Sequence, residues 1–499
     1  MEGGYENEKI RILMLPWLAH GHVSPFLELS KLLATRNFHI LFCSTSVILH
    51  SIQSKLPQNL SSNIELVELT LPTSADLPPH RHTTTGLPSH LMFSLKRAFD
   101  SAASAFDAIV RNVRPDLLIY DFLQPWAPAV ALSADIPAVM FQCTGALMAA
   151  MVTYGLKFGN SDILSKFPEI RVSELEIKQL NNLFRCSVND AKDKQRIEEC
   201  NERSCGILFL KSFREIEAKY IDSLSTFLQK KVIPVGPLVE EPENDVVLGG
   251  SFEKWLNQKE RKSCILVSFG SEFYLSKFDM EEIAYGLELS RLNFIWVVRF
   301  PASGGGEGKK NVEEELPKGF LERVGERGMV VEGWVPQAQI LKHRSIGGFL
   351  SHCGWSSVVE SIKFGVPIIA APMQLDQPLN ARLVEHLGVG VVVERSDGGR
   401  LCRREVARAV RAVREVVAEE SGKRVREKAK EFAKIMKEKG DEEMEVVVEE
   451  IMKLCRRKKK GLQSNWCRTS MDSHCCEVMK IDHCNGATPN EEPLCKQEK

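Results

Sequence analysis

The sequence predicts an α/β protein made of two doubly wound domains that face each other across a cleft. The chain has 499 residues, more than one hydrophobic core usually organises, so two domains are expected. Short apolar runs alternate with helical patterns in both halves. These runs are continuously apolar, as in parallel strands that are buried on both faces. Ligands of such sheets bind beyond the carboxyl ends of the strands, which would line the cleft.

Six strands are predicted in each half of the chain. In the first half they are Arg11–Leu15, His39–Cys43, Ile64–Leu69, Leu117–Tyr120, Ala138–Gln142 and Gly206–Leu210. In the second half they are Cys264–Phe269, Phe294–Val298, Met329–Val331, Gly347–Leu350, Pro367–Ala371 and Val389–Val393. The predicted domains are residues 1–238 and 251–455.

Three further segments complete this organisation. The Pro- and Glu-containing stretch 239–250 is predicted to link the domains, and Ser303–Lys310 (SGGGEGKK) to form a mobile surface loop. Charge-rich helical sequence from Arg403 to Lys453 closes the second domain. The basic, Cys-containing tail 456–499 has no apolar periodicity and is predicted to be disordered. A zinc site there, from His474, Cys475, His483 and Cys484, stays an alternative, although its spacing fits no standard pattern.

The composition excludes several kinds of partner. Lys and Arg total 65 against 66 Asp and Glu, so no general attraction to nucleic acid is expected. The N-terminus is polar and acidic without an apolar signal segment, and no apolar run is long enough to span a membrane. We therefore expect a cytoplasmic protein, with reduced, buried cysteines such as Cys43, Cys143 and Cys264.

The segment from Trp334 to Gln377 gathers groups suited to a nucleotide sugar. Trp334 ends a predicted strand and offers a flat face to a base, although an isolated Trp more often packs in a core. The turn Ser351–Gly354 leads into a helix predicted over Ser356–Phe364 that stops at Gly365. The free amides and positive partial charge of that helix start suit a diphosphate. His352 and Ser357 add donors there.

A second group of polar residues follows the first and fourth predicted strands. Ser24 is a predicted N-cap with Pro25 at the first helical position, which places His20 and His22 in the preceding loop. A helix start lowers a histidine's pKa and favours the neutral form that a base requires. Asp121, which ends the run Leu117–Asp121, can orient an imidazole as in a catalytic triad. Asp116 lies at the opposite end of that strand and is the poorer candidate.

The 44-residue segment Trp334–Gln377, with WVPQ, FLSHCGWSSVVES and PMQLDQPLN, resembles the donor-binding box of plant family-1 UDP-glycosyltransferases. The resemblance extends over about residues 9–455. It implies the GT-B fold, two facing Rossmann-like domains of which the first binds the acceptor and the second the UDP-sugar. It also implies an inverting, metal-independent transferase with no cofactor, for which the UDP-sugar is a co-substrate.

The resemblance assigns a role to each site residue. It places the base at His22, with Asp121 as its partner; His20 is the weaker candidate for the base and is expected to line the acceptor pocket. Uracil stacks on Trp334 and meets the backbone of Val335. The whole set of implied donor contacts is Ser271, Trp334, Val335, Gln337, His352, Gly354, Trp355, Ser356, Ser357, Glu360, Asp376 and Gln377, with Thr144 and His20 as further candidates for donor or acceptor contact.

Two details of the resemblance bear on the substrates. Gln377 at the closing position is typical of glucose donors. Ser356 stands where most family members have Asn, and its shorter side chain loses one reach toward the diphosphate or sugar. The CGWSS variant and Gly270–Ser290 (GSEFYLSKFDMEEIAYGLELS) are similar to the branch that adds sugars to sugars.

The resulting hypothesis is a monomeric enzyme that adds glucose from UDP-glucose to a sugar hydroxyl of a triterpenoid or flavonoid glycoside in plant specialised metabolism. The alternatives are direct transfer to an aglycone and the use of UDP-xylose or UDP-rhamnose. A non-catalytic nucleotide-sugar binder should lack His22 or Asp121, and a serine hydrolase should have a G-x-S-x-G motif, which this chain lacks. The chain also has no Asp-x-Asp motif to bridge a metal to the diphosphate.

Overall fold

Two parallel β-sheets form the framework of the protein. The computed structural model describes residues 9–159, 163–183, 187–188, 191–241, 251–300, 312–396, 398–414 and 420–459. The strands are β1 Arg11–Leu15, β2 His39–Ser44, β3 Ile64–Glu68, β4 Leu117–Tyr120, β5 Ala138–Gln142, β6 Ser187–Val188, β7 Ala191–Lys192, β8 Ile207–Leu210, β9 Lys231–Pro234, β10 Cys264–Ser268, β11 Asn293–Val298, β12 Gly328–Glu332, β13 Ile346–Ser351, β14 Ile368–Ala370 and β15 Gly390–Val392.

Helices connect these strands. They are α1 His20–Ala34, α2 Ser46–Gln53, α3 Met92–Asp100, α4 Ala103–Val113, α5 Trp126–Ser133, α6 Ala146–Phe158, α7 Ile163–Lys166, α8 Glu174–Leu183, α9 Asp193–Arg203, α10 Arg214–Leu228, α11 Ser251–Asn257, α12 Lys277–Ser290, α13 Val312–Glu315, α14 Phe320–Val324, α15 Gln337–Lys342, α16 Trp355–Lys363, α17 Gln377–His386, α18 Arg403–Arg414 and α19 Glu420–Lys459.

The strand order of each sheet reverses at one point. The first sheet has the order β3-β2-β1-β4-β5-β8-β9 and the second β12-β11-β10-β13-β14-β15, with parallel pairing throughout. The order reverses between β1 and β4 in the first sheet and between β10 and β13 in the second. Doubly wound sheets bind ligands at such switch points. The loops that follow these four strands are therefore the expected ligand-binding region.

Apolar packing joins the two halves of the molecule. The core of the first sheet includes the buried strand residues Leu13 and Ile119, and it continues into Val358 and Val359 of α16. Because this core crosses from one sheet to the helices of the other, burial of apolar surface holds the cleft walls together. The helix α16 thus belongs by chain order to the second sheet and by packing to both.

The last helix crosses back onto the first domain. Met444, Val447 and Ile451 of α19 are buried in the core of the first sheet. Ion pairs flank this contact: Arg36 with Glu445 at 3.2 Å, Lys231 with Glu450 at 2.8 Å and Lys439 with Glu215 at 3.0 Å. Exposed ion pairs contribute little individually, so the apolar stripe supplies most of the stabilisation.

The predicted strands are confirmed to within one residue at each end, but the short strands β6, β7 and β9 and the end of α19 were missed. The edge strand β9 begins at Lys231, shortly before the predicted linker. The helix α19 continues through Lys459, so Arg456–Lys459 are helical and do not start the tail. The rest of the predicted tail, the linker after residue 241 and the loop Ser303–Lys310 lie outside the described residues, and the domain boundaries at 238 and 251 stay predictions.

Cys43, Cys143 and Cys264 are buried, as predicted, and their reduced state stays a prediction. Among the described helices, none combines the length and apolar character needed to cross a bilayer.

Candidate active site

His22 and Asp121 meet at the switch point of the first sheet. His22 lies in the first turn of α1, just after β1, and Asp121 directly follows β4. The His22 Nδ1 is 2.8 Å from Asp121 Oδ2, and the two side chains are 19 % and 0 % exposed. Because Nδ1 is engaged by the carboxylate, Nε2 is the nitrogen left for a substrate proton.

Backbone hydrogen bonds fix the Asp121 carboxylate. Its Oδ2 accepts from the Trp17 amide at 3.1 Å, and its Oδ1 accepts from the Phe122 amide at 2.7 Å. With the His22 ring, these amides give the carboxylate three hydrogen-bond partners, which hold it in one orientation. It can therefore orient the imidazole and stabilise the imidazolium that forms when His22 takes up a proton.

The predicted pKa shift of His22 is wrong in direction. Burial lowers the pKa of His22, but the charge and hydrogen bond of Asp121, with smaller contributions from Glu272 and Asp376, outweigh burial and raise it. The carboxylate at hydrogen-bond distance has a larger effect than the helix start. The result is a stronger base than an isolated histidine.

The predicted start of α1 is also wrong. The helix begins at His20, with Ala19 as its N-cap, and Pro25 lies inside it. Pro25 lacks the amide that would bond to the Gly21 carbonyl, but its fixed φ is still compatible with the helix. Both histidines are therefore held by a helical turn, which positions them more firmly than a loop would.

His22, Asp121 and Cys143 form a cluster whose possible metal-binding atoms lie within 4.8 Å of one another. Burial raises the pKa of the Cys143 thiol well above its usual range. A metal ligand must be a thiolate, and the Asp121 carboxylate is already committed to three hydrogen bonds. This donor set is poorly prepared to hold a metal.

The switch point of the second sheet places His352 between two glycines. His352 follows β13, and a Cβ added to either Gly270, which follows β10, or Gly354 would overlap its imidazole. Cys353 adopts a left-handed conformation with a φ of 63° at the same turn, a strained state that often occurs at functional sites. Burial, followed by the charge of Arg299, lowers the pKa of His352 to about 4, so the ring is neutral at pH 7.

The helix α16 starts beside this histidine. Gly354 is its N-cap, and Gly365 follows its end with a φ of 61°, as predicted. Ser356 and Ser357 lie in its first turn, where the backbone amides have no helical acceptors. His352, the turn and the helix start together form an anion-binding corner, with Ser271 next to Gly270 at its edge.

Gln337 joins two of the predicted donor contacts. Its side-chain Nε2 donates to Glu360 Oε2 at 2.7 Å and lies 3.2 Å from Ser357 Oγ. Gln337 opens α15, and the buried Val335 anchors the preceding loop in the core of the second sheet. Burial raises the pKa of Glu360. The arrangement presents a carboxylate one turn from the helix start.

Trp334 is 55 % exposed and faces the first domain. The His20 ring packs edge-on against it, with 4.6 Å between ring centroids, and the Arg299 guanidinium lies 4.5 Å from its centroid. Burial and the charges of Lys55, Arg299 and Lys211 lower the pKa of His20 to about 3. Because its pKa is so low, His20 is a poor proton acceptor. Its ring forms part of the cleft wall.

Asp376 and Gln377 lie at the start of α17. Asp376 Oδ2 accepts from Asn380 Nδ2 at 2.9 Å, and Asn380 Nδ2 also donates to the Cys353 carbonyl at 3.0 Å. Gln377 Oε1 accepts from the Met373 amide at 2.9 Å. Its carbonyl oxygen therefore shapes the local turn. The charge of Asp376 contributes to the raised pKa of His22, and its predicted contact with the donor sugar stays a prediction.

Cross-domain hydrogen bonds join α16 to the end of β8. Trp355 Nε1 donates to the Lys211 carbonyl at 2.6 Å, and Lys211 Nζ donates to Ser356 Oγ at 2.7 Å. Gly145, next to Thr144, packs against the Trp355 ring so closely that a Cβ would lie 3.2 Å from it. The indole N–H of Trp355 is thus used between the domains, and Thr144 lies beside the same contact.

The predicted residues therefore converge on one cleft from both sheets, and their individual roles stay predictions. Sequence reasoning missed Lys211, Asn380 and Glu272, whose Oε1 accepts from Thr84 Oγ1 at 2.7 Å across the cleft. A signal existed for Lys211, which directly follows a predicted strand. Asn380 stands four residues after Asp376, the helical spacing of neighbours.

Family comparisons agree with this geometry. The sequence model described as "UDP-glucoronosyl and UDP-glucosyl transferase" matches residues 232–452, and that of "Glycosyltransferase, N-terminal domain" matches residues 8–240. The chain is 50 % identical over 467 residues to a Mogroside IIIx synthase of Siraitia grosvenorii, covering 91 % of this chain and 95 % of that protein. It is 46 % identical over 444 residues to a beta-D-glucosyl crocetin beta-1,6-glucosyltransferase of Gardenia jasminoides, covering 88 % and 98 %.

The fold has a solved counterpart. The crystal structure of Glycyrrhiza uralensis UGT73P12, complexed with glycyrrhetinic acid 3-O-monoglucuronide, matches with a TM-score of 0.76 at 21 % identity, covering 91 % of this chain and 98 % of that chain. This likeness confirms the predicted architecture of two facing Rossmann-like domains.

Proposed function

This chain belongs to the family of UDP-glucuronosyl and UDP-glucosyl transferases, and we propose on that premise that it transfers glucose from UDP-glucose, with inversion, to a sugar hydroxyl of a triterpenoid or flavonoid glycoside. The observation that carries the proposal is the His22–Asp121 pair, 2.8 Å apart, at the carboxyl edge of the first sheet. The donor box faces it from the second sheet. A nucleotide-sugar binder without catalysis has no use for that pair.

The proposed chemistry is a single displacement. His22 Nε2 takes the proton of the acceptor hydroxyl while its oxygen attacks the anomeric carbon. The bond between that carbon and the diphosphate oxygen breaks, and its electron pair leaves with UDP. Asp121 stabilises the imidazolium. A positioned base of this kind contributes roughly 10²–10⁴-fold to the rate.

The departing charge is met by the anion-binding corner. His352, Ser357, Ser271 and the start of α16 lie where the diphosphate is proposed to bind. Hydrogen-bond donors that are fixed before the reaction stabilise developing charge without reorganisation. We propose that they replace a divalent metal, so the enzyme acts without one.

The acceptor proposal rests on relatives and on the cleft wall. The Gardenia relative is named for a substrate that already carries a glucosyl group. A cavity beside His20 has apolar walls from Val23, Leu27 and Ile48 and polar walls from Glu28, Lys55 and Thr83. Such mixed lining suits a molecule with an apolar ring system and a sugar. A monomer acting in the cytoplasm is part of the same proposal.

A product screen tests this function. Purified protein would receive UDP-glucose with matched pairs of acceptors, each an aglycone and its monoglucoside, and products would be detected by mass spectrometry. We expect hexose addition to the monoglucosides and its loss in His22→Ala. Equal or better addition to aglycones would refute the glycoside acceptor while leaving the transferase intact. Turnover only with UDP-xylose or UDP-rhamnose would refute the glucose donor.

A further inference from the structure

Lys211 places a buried positive charge in the cleft. It is the first residue after β8 and only 1 % exposed. Its Nζ donates to Ser356 Oγ at 2.7 Å. Within the described part of the chain, no carboxylate oxygen lies within 4.0 Å of this Nζ, the limit for an ion pair. An ammonium carries three donors, and buried charges are normally paired. A hydrogen bond to one hydroxyl offsets only a small part of the free-energy cost of burying this charge.

The surroundings of this ammonium make an anion the fitting partner. Ser356 lies in the first turn of α16, and a helix start repels cations and attracts anions. The charge of Lys211 acts to lower the pKa of His20 on the acceptor side and that of Glu360 on the donor side. The charge therefore lies between the two substrate sites, beside amides that already favour an anion.

The Lys211 ammonium meets the short side chain of Ser356 at the start of α16. The Lys211 backbone is held in place, because its carbonyl accepts from Trp355 Nε1 at 2.6 Å. The first sheet thus supplies a long cationic side chain to the start of a helix that belongs to the second sheet.

We propose that the Lys211 ammonium binds the diphosphate of the nucleotide sugar and stabilises its charge as UDP leaves. This inference rests on the proposed function, because it presupposes that a UDP-sugar occupies the cleft. The opposing view is that Lys211 is only a clamp between the domains.

Calorimetric titration of UDP and of uridine separates the two views, since only UDP carries the diphosphate. In Lys211→Met we expect UDP to bind about ten- to a hundredfold more weakly, the range for a charge-assisted hydrogen bond, while uridine affinity stays within about twofold. Lys363→Met is the matched control. That lysine ends the same helix, seven residues after Ser356, and contacts the Val239 carbonyl and Glu241 at the start of the predicted linker. Its UDP affinity should be that of the parent.

A rescue variant sharpens the test. Ser356→Asn in the Lys211→Met background should recover most of the lost UDP affinity. Equal losses for UDP and uridine, or full UDP affinity in a folded Lys211→Met protein, would overturn the inference. If that variant does not fold, Lys211→Gln removes the charge but keeps a donor for Ser356 and enters the same titrations. A parent protein that binds no UDP would refute the proposed function instead.

Discussion

The imidazole of His352 packs directly against Gly270, so that each residue determines what the other position tolerates. Gly270 has a φ of 80°, and a Cβ there would overlap Nε2 of the ring. The two residues follow the adjacent strands β13 and β10, and their contact closes the anion-binding corner between those strands. A substitution at Gly270 therefore displaces the His352 ring.

Gly270→Ala should weaken donor binding through this contact. The methyl group must displace His352, and the backbone must hold an alanine in a left-handed conformation. We expect the KM for UDP-glucose to rise about tenfold or more. Gly398→Ala is the control, since a Cβ at Gly398 meets no atom within 4 Å. An unchanged KM in Gly270→Ala would show that His352 does not contact the donor.

Asp121→Asn should change both the rate and its pH dependence. The carboxylate raises the pKa of His22, and a base accepts a proton only when it is unprotonated, that is, at pH values above its pKa. Removing the charge lowers that pKa, so the acidic limb of the kcat/KM profile should move to lower pH. The maximal rate should fall roughly 10²–10⁴-fold, because the imidazolium loses its partner. An acidic limb that stays in place would assign it to another group.

Trp334→Ala should weaken UDP and uridine to the same extent. Both ligands carry uracil, and stacking on an aromatic ring is worth about 1–3 kcal/mol per base. Equilibrium titration of both ligands measures the effect, and Trp334→Phe should keep part of the affinity. A loss confined to UDP would mean that the ring acts on the phosphates, through its neighbour Arg299 at 4.5 Å.

Glu217→Ala should destabilise the fold. This acid is 1 % exposed and accepts from the Ala146 and Leu147 amides at 2.9 and 2.8 Å and from Ser212 Oγ at 2.6 Å. Its removal leaves three buried donors without an acceptor, at a cost of roughly 2–4 kcal/mol. Thermal unfolding would show a lower Tm, and Glu202→Ala, at an exposed position of α9, is the comparison. An unchanged Tm would contradict the capping role.

Activity should persist after metal removal. Our proposal gives the charge of the diphosphate to His352, Ser357, Lys211 and the helix start, so chelation by EDTA should leave kcat within about twofold of its value in added Mg²⁺. Loss of turnover in EDTA that is restored by a divalent ion would defeat the metal-free mechanism.

Much of the fold could be predicted from the sequence, because buried parallel strands are continuous apolar runs. The strands β1 and β4 were located to the residue, and the rule that ligands bind beyond strand ends brought His22 and Asp121 together before any contact was known. The edge strand β9 was missed because it is short, begins with a lysine and ends with a proline, which is a pattern shared with loops.

The errors at the site arise from tertiary contacts. Pro25 marks a helix start in most local contexts, but here the helix extends back to His20. The direction of the His22 pKa depended on a hydrogen bond between residues 99 positions apart. Lys211 looked like an ordinary polar residue after a strand, because only the docking of α16 makes it a buried charge.

The crossing of α19 has a mechanical consequence. The chain passes between the two domains twice, once after β9 and once along this helix. Both connections therefore oppose separation of the two sheets, so the chain itself ties the walls of the cleft together in addition to their shared apolar core.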